Sequence, residues 1–165
     1  GVFGASLMKD AISQIDYKKQ LITITDQIDR LKIDSTVEPL DFEQNPTGSP
    51  VLNIKIADKK STIIIDTGSS SAISLSTKEF PTLKNDNMPT IKYVTTLFGH
   101  TIDTVYQTLN TTIKLDDEQT FENMAIKVHS ALSESLMGNA FMQNYRVTID
   151  WTYRRLYFER YEKEN

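Results

Sequence analysis

The sequence has no cysteine, only two histidines and a single tryptophan in 165 residues. The missing cysteines exclude disulfides, thiolate zinc sites and cysteine nucleophiles, and leave the redox compartment unread. His100 and His129 stand too far apart for a local metal motif. No HExxH, P-loop or GxSxG string occurs, so zinc hydrolases and triad hydrolases find no support. Positive charge is also short: 18 Lys and Arg against 22 Asp and Glu give a formal net charge of -4. That balance argues against nucleic acid or an anionic membrane surface as a partner, since both call for basic patches. No apolar run approaches the roughly 20 residues of a membrane span, and Gly1 is followed by nothing like a basic region plus an apolar signal core. What remains, 39% hydrophobic and 24% charged residues, suits a globular chain with one main core and an appendage.

The most informative stretch is Thr62-Ile63-Ile64-Ile65-Asp66-Thr67-Gly68-Ser69-Ser70-Ser71-Ala72-Ile73. Three β-branched residues in a row predict a strand buried on both faces. Asp66 then sits at the mouth of a core, where its ionisation is costly unless hydrogen-bond donors surround it. Thr67, Ser69, Ser70 and Ser71 supply hydroxyls and backbone N–H groups, and Gly68 removes a Cβ where the chain must turn. Taken alone, Asp-Thr-Gly-Ser is also an ordinary way to end a strand in an Asx turn. Its context decides between the two.

Along the chain, Leu52, Ile54 and Ile56 alternate with polar residues as in a half-buried strand, and Asp58-Lys59-Lys60 turns the chain into the Ile63–Ile65 strand. Ala72–Leu75 reads as a further short strand, and 77–89 as a polar loop. Lys92–Phe98 and Thr101–Gln107 are β-prone runs around Phe98-Gly99-His100, which predicts a hairpin with glycine near its tip. Thr111–Leu115 and Met124–Val128 form another pair around the acidic turn Asp116-Asp117-Glu118. This run of short strands predicts a small, closed or nearly closed β-barrel. Leu136-Met137-Gly138-Asn139 then offers two core side chains, a glycine that permits close backbone approach, and a short helical turn.

The N-terminus repeats this ending. Gly4-Ala5-Ser6-Leu7-Met8-Lys9-Asp10 matches Gly138-Asn139-Ala140-Phe141-Met142-Gln143-Asn144 at an offset of 134 residues. The same offset carries Ile15-Asp16-Tyr17 onto Ile149-Asp150-Trp151 and Leu21–Ile24 onto Arg155–Phe158. Each copy reads as apolar-apolar-Gly, a helical turn, then a β-hairpin across Tyr17-Lys18-Lys19 or Trp151-Thr152-Tyr153. The expected organisation is residues 1–28 as the C-terminal tail of a preceding unit, 29–49 as a polar linker with Pro39, Pro46 and Gly48, and 50–165 as a full unit. The counterpart of Asp66 would then lie about seventy residues upstream of Gly4.

Together, the strand ending in Asp66-Thr67-Gly68-Ser69, the hairpin near Gly99 and Leu136-Met137-Gly138-Asn139 some seventy residues later resemble the retropepsin-like aspartic proteases, bacterial aspartyl protease family members in particular. The resemblance covers residues 50–160, and residues 1–28 resemble the end of a second such unit, similar to the two-lobed pepsin arrangement. It implies an all-β, retropepsin-like (pepsin-lobe) barrel with one short helix near the C-terminus. It further implies that Asp66 is catalytic, that Thr67, Gly68 and Ser69 support the active-site loop, and that Phe98, Gly99 and His100 form the tip of a substrate-covering flap. Leu136, Met137 and Gly138 would thread the loop that starts at Asp66. No metal and no cofactor is implied. The implied partners are an extended peptide or protein substrate and a second lobe, from the upstream part of the protein or from a homodimer. The setting leans towards extracytoplasmic, periplasmic or secreted, in a bacterium.

Only one Asp-Thr-Gly is present, whereas the chemistry needs two aspartates. The competing expectation is therefore a catalytically inactive retropepsin-like module that binds peptides or scaffolds an assembly. Elsewhere the plain readings hold: His129 is expected in a loop, His100 at a solvated tip, and Phe141, Tyr145, Trp151, Tyr153 and Tyr157 as core and strand-pairing aromatics. Asn110-Thr111-Thr112 matches a glycosylation sequon by chance, and 160–165 reads as a charged, fraying tail.

Overall fold

The computed structural model describes residues 4–5, 8–56, 58–83, 90–96, 99–115 and 119–161; the side chains of 90–96, 100, 101 and 108–110 lie outside that description. Thirteen strands and one α-helix are present among these residues. They form two sheets.

Six strands close into a barrel: β5 (Pro50–Ile56), β6 (Lys59–Ile65), β7 (Ile73–Ser76), β9 (Gly99–Leu115), β10 (Gln119–His129) and β11 (Leu136–Met137). Around the ring the order is β5-β6-β11-β7-β10-β9, and β9 returns to β5 through Ile54↔Leu115 and Ile56↔Ile113. Closure leaves no edge on these strands to aggregate. The alternation read in Leu52, Ile54 and Ile56 points all three inward, with each at 2% exposure or less. Ile63, Ile65, Ile73, Leu75, Ile113, Leu115, Ile126, Val128 and Met137 complete the barrel core. Ile64 is only half-buried, so the isoleucine run is covered fully on one face and partly on the other. Two strands hang on the barrel: β4 (Glu43–Gln44) pairs with β5, and β8 (Thr90–Thr96) pairs with β9.

The second sheet has the order β2-β1-β12-β13-β3, from β1 (Ile12–Asp16), β2 (Leu21–Thr25), β3 (Leu40–Asp41), β12 (Tyr145–Asp150) and β13 (Arg155–Arg160). The helix α1 (Asn139–Met142) leads from β11 into β12 and buries Phe141 and Met142. Phe141, Tyr145 and Phe158 meet at ring centroid separations of 5.2 to 5.6 Å, where the small sheet packs on the barrel.

The two hairpins of this sheet match in detail. The pairs Ile12↔Thr25 and Arg146↔Glu159 are the same register displaced by the 134-residue offset. Each four-residue turn ends in a non-glycine residue at positive φ, Gln20 at 53° and Arg154 at 54°. Asp16 accepts the Lys19 N–H at 3.0 Å, and Asp150 accepts the Tyr153 N–H at 3.0 Å. The hairpins join antiparallel through β1 and β12, so that Gln14 lies opposite Thr148. These are equivalent positions, and a local twofold axis therefore passes between them. The Gln14 amide donates to the Thr148 hydroxyl at 2.9 Å, satisfying both buried groups.

Several expectations shift. Residues 29–49, expected as a linker, place β3 in the small sheet and β4 on the barrel, with Leu31, Leu40 and Phe42 buried. Phe42 meets Trp151 edge-on at 6.0 Å. The two runs expected at Thr101–Gln107 and Thr111–Leu115 are one 17-residue strand. His129 ends β10 and is not in a loop. Tyr153, expected in the core, is 72% exposed on a turn. The acidic turn 116–118 and the tail 162–165 lie outside the described residues.

Candidate active site

The end of β6 is held by a strand from far along the chain. β11 lies between β6 and β7, parallel to the first and antiparallel to the second, through Met137↔Ile65 and Met137↔Ile73. The Met137 carbonyl accepts the Asp66 N–H at 2.9 Å. Beyond it, Gly138 donates to the Ala72 carbonyl and Asn139 to the Ser69 carbonyl, both at 2.8 Å. Leu136, Met137 and Gly138 thus pass inside the turn that runs from Asp66 to Ala72. Contact there is close enough to require glycine: a Cβ on Gly138 would stand 2.6 Å from the Ser69 carbonyl oxygen and 2.9 Å from its Cβ.

Asp66 is half-buried where the strand ends. Its Oδ1 accepts the Gly68 N–H at 2.8 Å, and its carbonyl accepts the Ser69 N–H at 3.1 Å. Thr67 and Gly68 are exposed at the apex of the turn. Serine hydroxyls stitch the far side of the loop, Ser69 to Ser71 at 2.9 Å and Ser71 to Ser74 at 2.7 Å. The donors expected around the carboxylate divide their work. The Gly68 backbone serves Asp66, and the serines hold one another.

The hairpin of β8 and β9 runs as far as Thr96↔Gly99. Gly99 has a φ of +125°, a conformation that favours glycine, and is exposed with open space where a Cβ would point. Phe98 and the His100 side chain lie outside the described residues.

A cluster near this hairpin and a set of hydrogen bonds at α1 escaped the sequence reading. Asp103, 1% exposed on β9, accepts from His129 Nδ1 at 2.5 Å, from the Ala131 N–H at 3.0 Å and from the Ser130 hydroxyl at 3.2 Å. Burial works against its charge, but these donors and the imidazole outweigh it and hold the carboxyl below its ordinary range. Asn139 bonds Thr67 and Tyr17, and no local motif announces that link. A cavity of about 860 Å³ is lined by residues that include Lys18, Phe121, Met124, Phe141, Tyr145 and Arg160, and Asp66 is not among them. Among the described residues no group of three or more carboxylates and histidines could hold a metal, and no helix is long and apolar enough to cross a membrane.

Neither a scan of protein-family models nor a search of curated protein sequences found a match. Among solved structures, the chain is similar to a retropepsin-like aspartic protease from Rickettsia conorii, at 20% sequence identity and a TM-score of 0.52. The match covers 79% of this chain and 99% of that one. With its closed six-stranded barrel, its inserted β11 and its single short helix, the chain has the retropepsin-like aspartic protease fold.

Proposed function

We propose that this chain carries one lobe of an aspartic endopeptidase, which hydrolyses peptide bonds through a water activated by Asp66 and by a second aspartate from another lobe or subunit. The observation that carries this reading is the seating of Asp66. Its carboxylate leaves a closed barrel at a loop locked from within by Gly138, and takes a backbone N–H at 2.8 Å. A mere strand-ending turn needs no such lock.

Two carboxyls about 3 Å apart cannot both ionise and share one proton. The ionised member takes a proton from water as it attacks, while the protonated member polarises the scissile carbonyl. The substrate lies extended under the β8–β9 hairpin, bound by strand-like hydrogen bonds. Thr67, Gly68 and Ser69 support the loop, and Phe98, Gly99 and His100 form the flap.

The second aspartate comes from an upstream lobe whose end is the β1–β2 hairpin. Two observations favour this over a homodimer. β1 already occupies the edge of β12 at the local twofold axis, where the β12 of another copy would have to pair. Moreover, Ile22 and Ile24 on β2 are 64% and 60% exposed, whereas their counterparts Leu156 and Phe158 on β13 are 0% and 6% exposed. β13 is covered by its own lobe, and β2 awaits the equivalent cover.

The test is Asp66→Asn in the full-length protein, with cleavage of an unstructured protein followed from pH 3 to 7. A loss of at least about a thousandfold is expected from removal of half the acid pair. Undiminished cleavage ends the assignment and leaves a peptide-binding module.

A further inference from the structure

Asn139 links the Asp66 loop to the N-terminal hairpin. Its backbone N–H donates to the Ser69 carbonyl at 2.8 Å, and its side-chain Nδ2 donates to the Thr67 carbonyl. Its Oδ1 accepts the Tyr17 hydroxyl at 2.6 Å. The Thr67 carbonyl and the Gly68 N–H belong to one peptide plane, and in a trans peptide they point in opposite directions. Holding the oxygen therefore aims the hydrogen. That hydrogen is the donor to Asp66 Oδ1 at 2.8 Å.

The result is a chain of donors all running the same way, from the Tyr17 hydroxyl through the Asn139 amide and the Thr67–Gly68 peptide to the Asp66 carboxylate. Aligned hydrogen bonds polarise one another, which strengthens the last one. A stronger donor at a carboxylate favours its charged form. Burial, and then neighbouring Tyr161, push the Tyr17 phenol above its ordinary value, so it keeps its proton through the whole acidic and neutral range. At the twofold-related positions stand Ala5 and Trp151, which cannot build the same relay.

We propose that Tyr17 and Asn139 are positioning residues that aim the Gly68 N–H at Asp66 and so keep the shared negative charge of the acid pair on Asp66. On this view Asp66 is the member that takes the proton from water, and the N-terminal hairpin contributes to the chemistry without touching substrate. The inference rests on the protease reading above.

The experiment uses the full-length protein with Tyr17→Phe, which removes only the hydroxyl, and Asn139→Asp, which keeps the shape but loses the donor. For each, kcat, KM and the acid limb of the pH–rate profile are measured on the same unstructured substrate. Gly68 amide exchange is followed by NMR in an Asp66→Asn background and in the wild type. Tyr17→Phe is expected to lower kcat about three- to tenfold, and Asn139→Asp about ten- to a hundredfold, with KM within about twofold. The acid limb should move to higher pH in both, and Gly68 exchange should speed up. Wild-type kcat and an unmoved acid limb in both variants, with Asp66→Asn inactive, overturn the relay and leave the protease reading intact. A fall in kcat that follows a fall in thermal stability, with the acid limb unmoved, overturns it as well. Should the wild type itself cleave nothing, the protease reading fails and with it the catalytic role; unchanged Gly68 exchange would then overturn the brace too.

Discussion

Asp103 carries its charge almost out of water, and its three donors come from a single stretch, His129 to Ala131. The clasp ties the β8–β9 hairpin to β10 below its tip. Because the folded carboxyl ionises below the ordinary 3.8, its stabilisation is complete above about pH 4 and is lost as pH falls through the depressed folded value. Asp103→Asn should lower stability at pH 7 by about 1–3 kcal/mol, since hydrogen bonds to a buried charge are the stronger kind. Chemical denaturation across pH checks this. The gap between variant and wild type should narrow below about pH 4, and a gap constant down to pH 2 would refute the account. No sequence signal marks this pair, because 26 residues separate its members and only the β9–β10 register brings them together. The strand end and turn at Asp66 were legible for the opposite reason: the glycine, the serines and the isoleucines that make them are all local.

Among the elements, β11 has only two residues, yet it pairs with β6 and β7 at once. Its position explains why Gly138 cannot gain a side chain. The neighbours of a new Cβ are backbone oxygens of the 69–71 turn and the Cβ of Ser69, none of which can swing aside. Gly138→Ala should cost about 1–3 kcal/mol through overpacking, read as a lowered urea midpoint at constant slope. It should also lower any cleavage activity, because the displaced turn is the one that holds Asp66. A variant with the wild-type midpoint would show that the turn yields freely. Strands with alternating or β-branched residues, such as β5 and β6, could be placed from sequence alone. β9 could not be placed whole, because the polar residues around Leu109, from Gln107 and Thr108 to Asn110, invite a break; pairing with β8, β10 and β5 in turn carries the strand through. Residues 29–49 misled for a related reason. Their prolines and Gly48 read as linker, whereas the Glu159 carboxylate accepts the Asp34 N–H at 3.0 Å and pairs with Arg146, binding the segment to β13.

At the scale of the molecule, the strands at the two sides of the small sheet are differently covered. β13 is flanked by β3, with Leu40 opposite Leu156, while β2 has no further strand among the described residues. Ile22→Lys with Ile24→Lys should leave the stability of the 165-residue chain within about 0.5 kcal/mol, since both side chains are exposed there. On the proposed two-lobed arrangement, the same pair in the longer protein should lower stability by several kcal/mol, about the cost of two buried isoleucines. Calorimetry on both lengths checks this, and equal tolerance in both would remove the case for a lobe over β2. The barrel was readable from local pattern, strand by strand. The union of the two hairpins was not, since sequence offset carries no information about which edges meet.

That union has a further meaning. Gln14 and Thr148 occupy corresponding places and touch, so each is the other's partner at the axis. Two copies of the second hairpin brought together in this way would instead set Thr148 against Thr148, hydroxyl against hydroxyl. In this chain the seam joins unlike residues at equivalent places, an amide on one hairpin and a hydroxyl on the other.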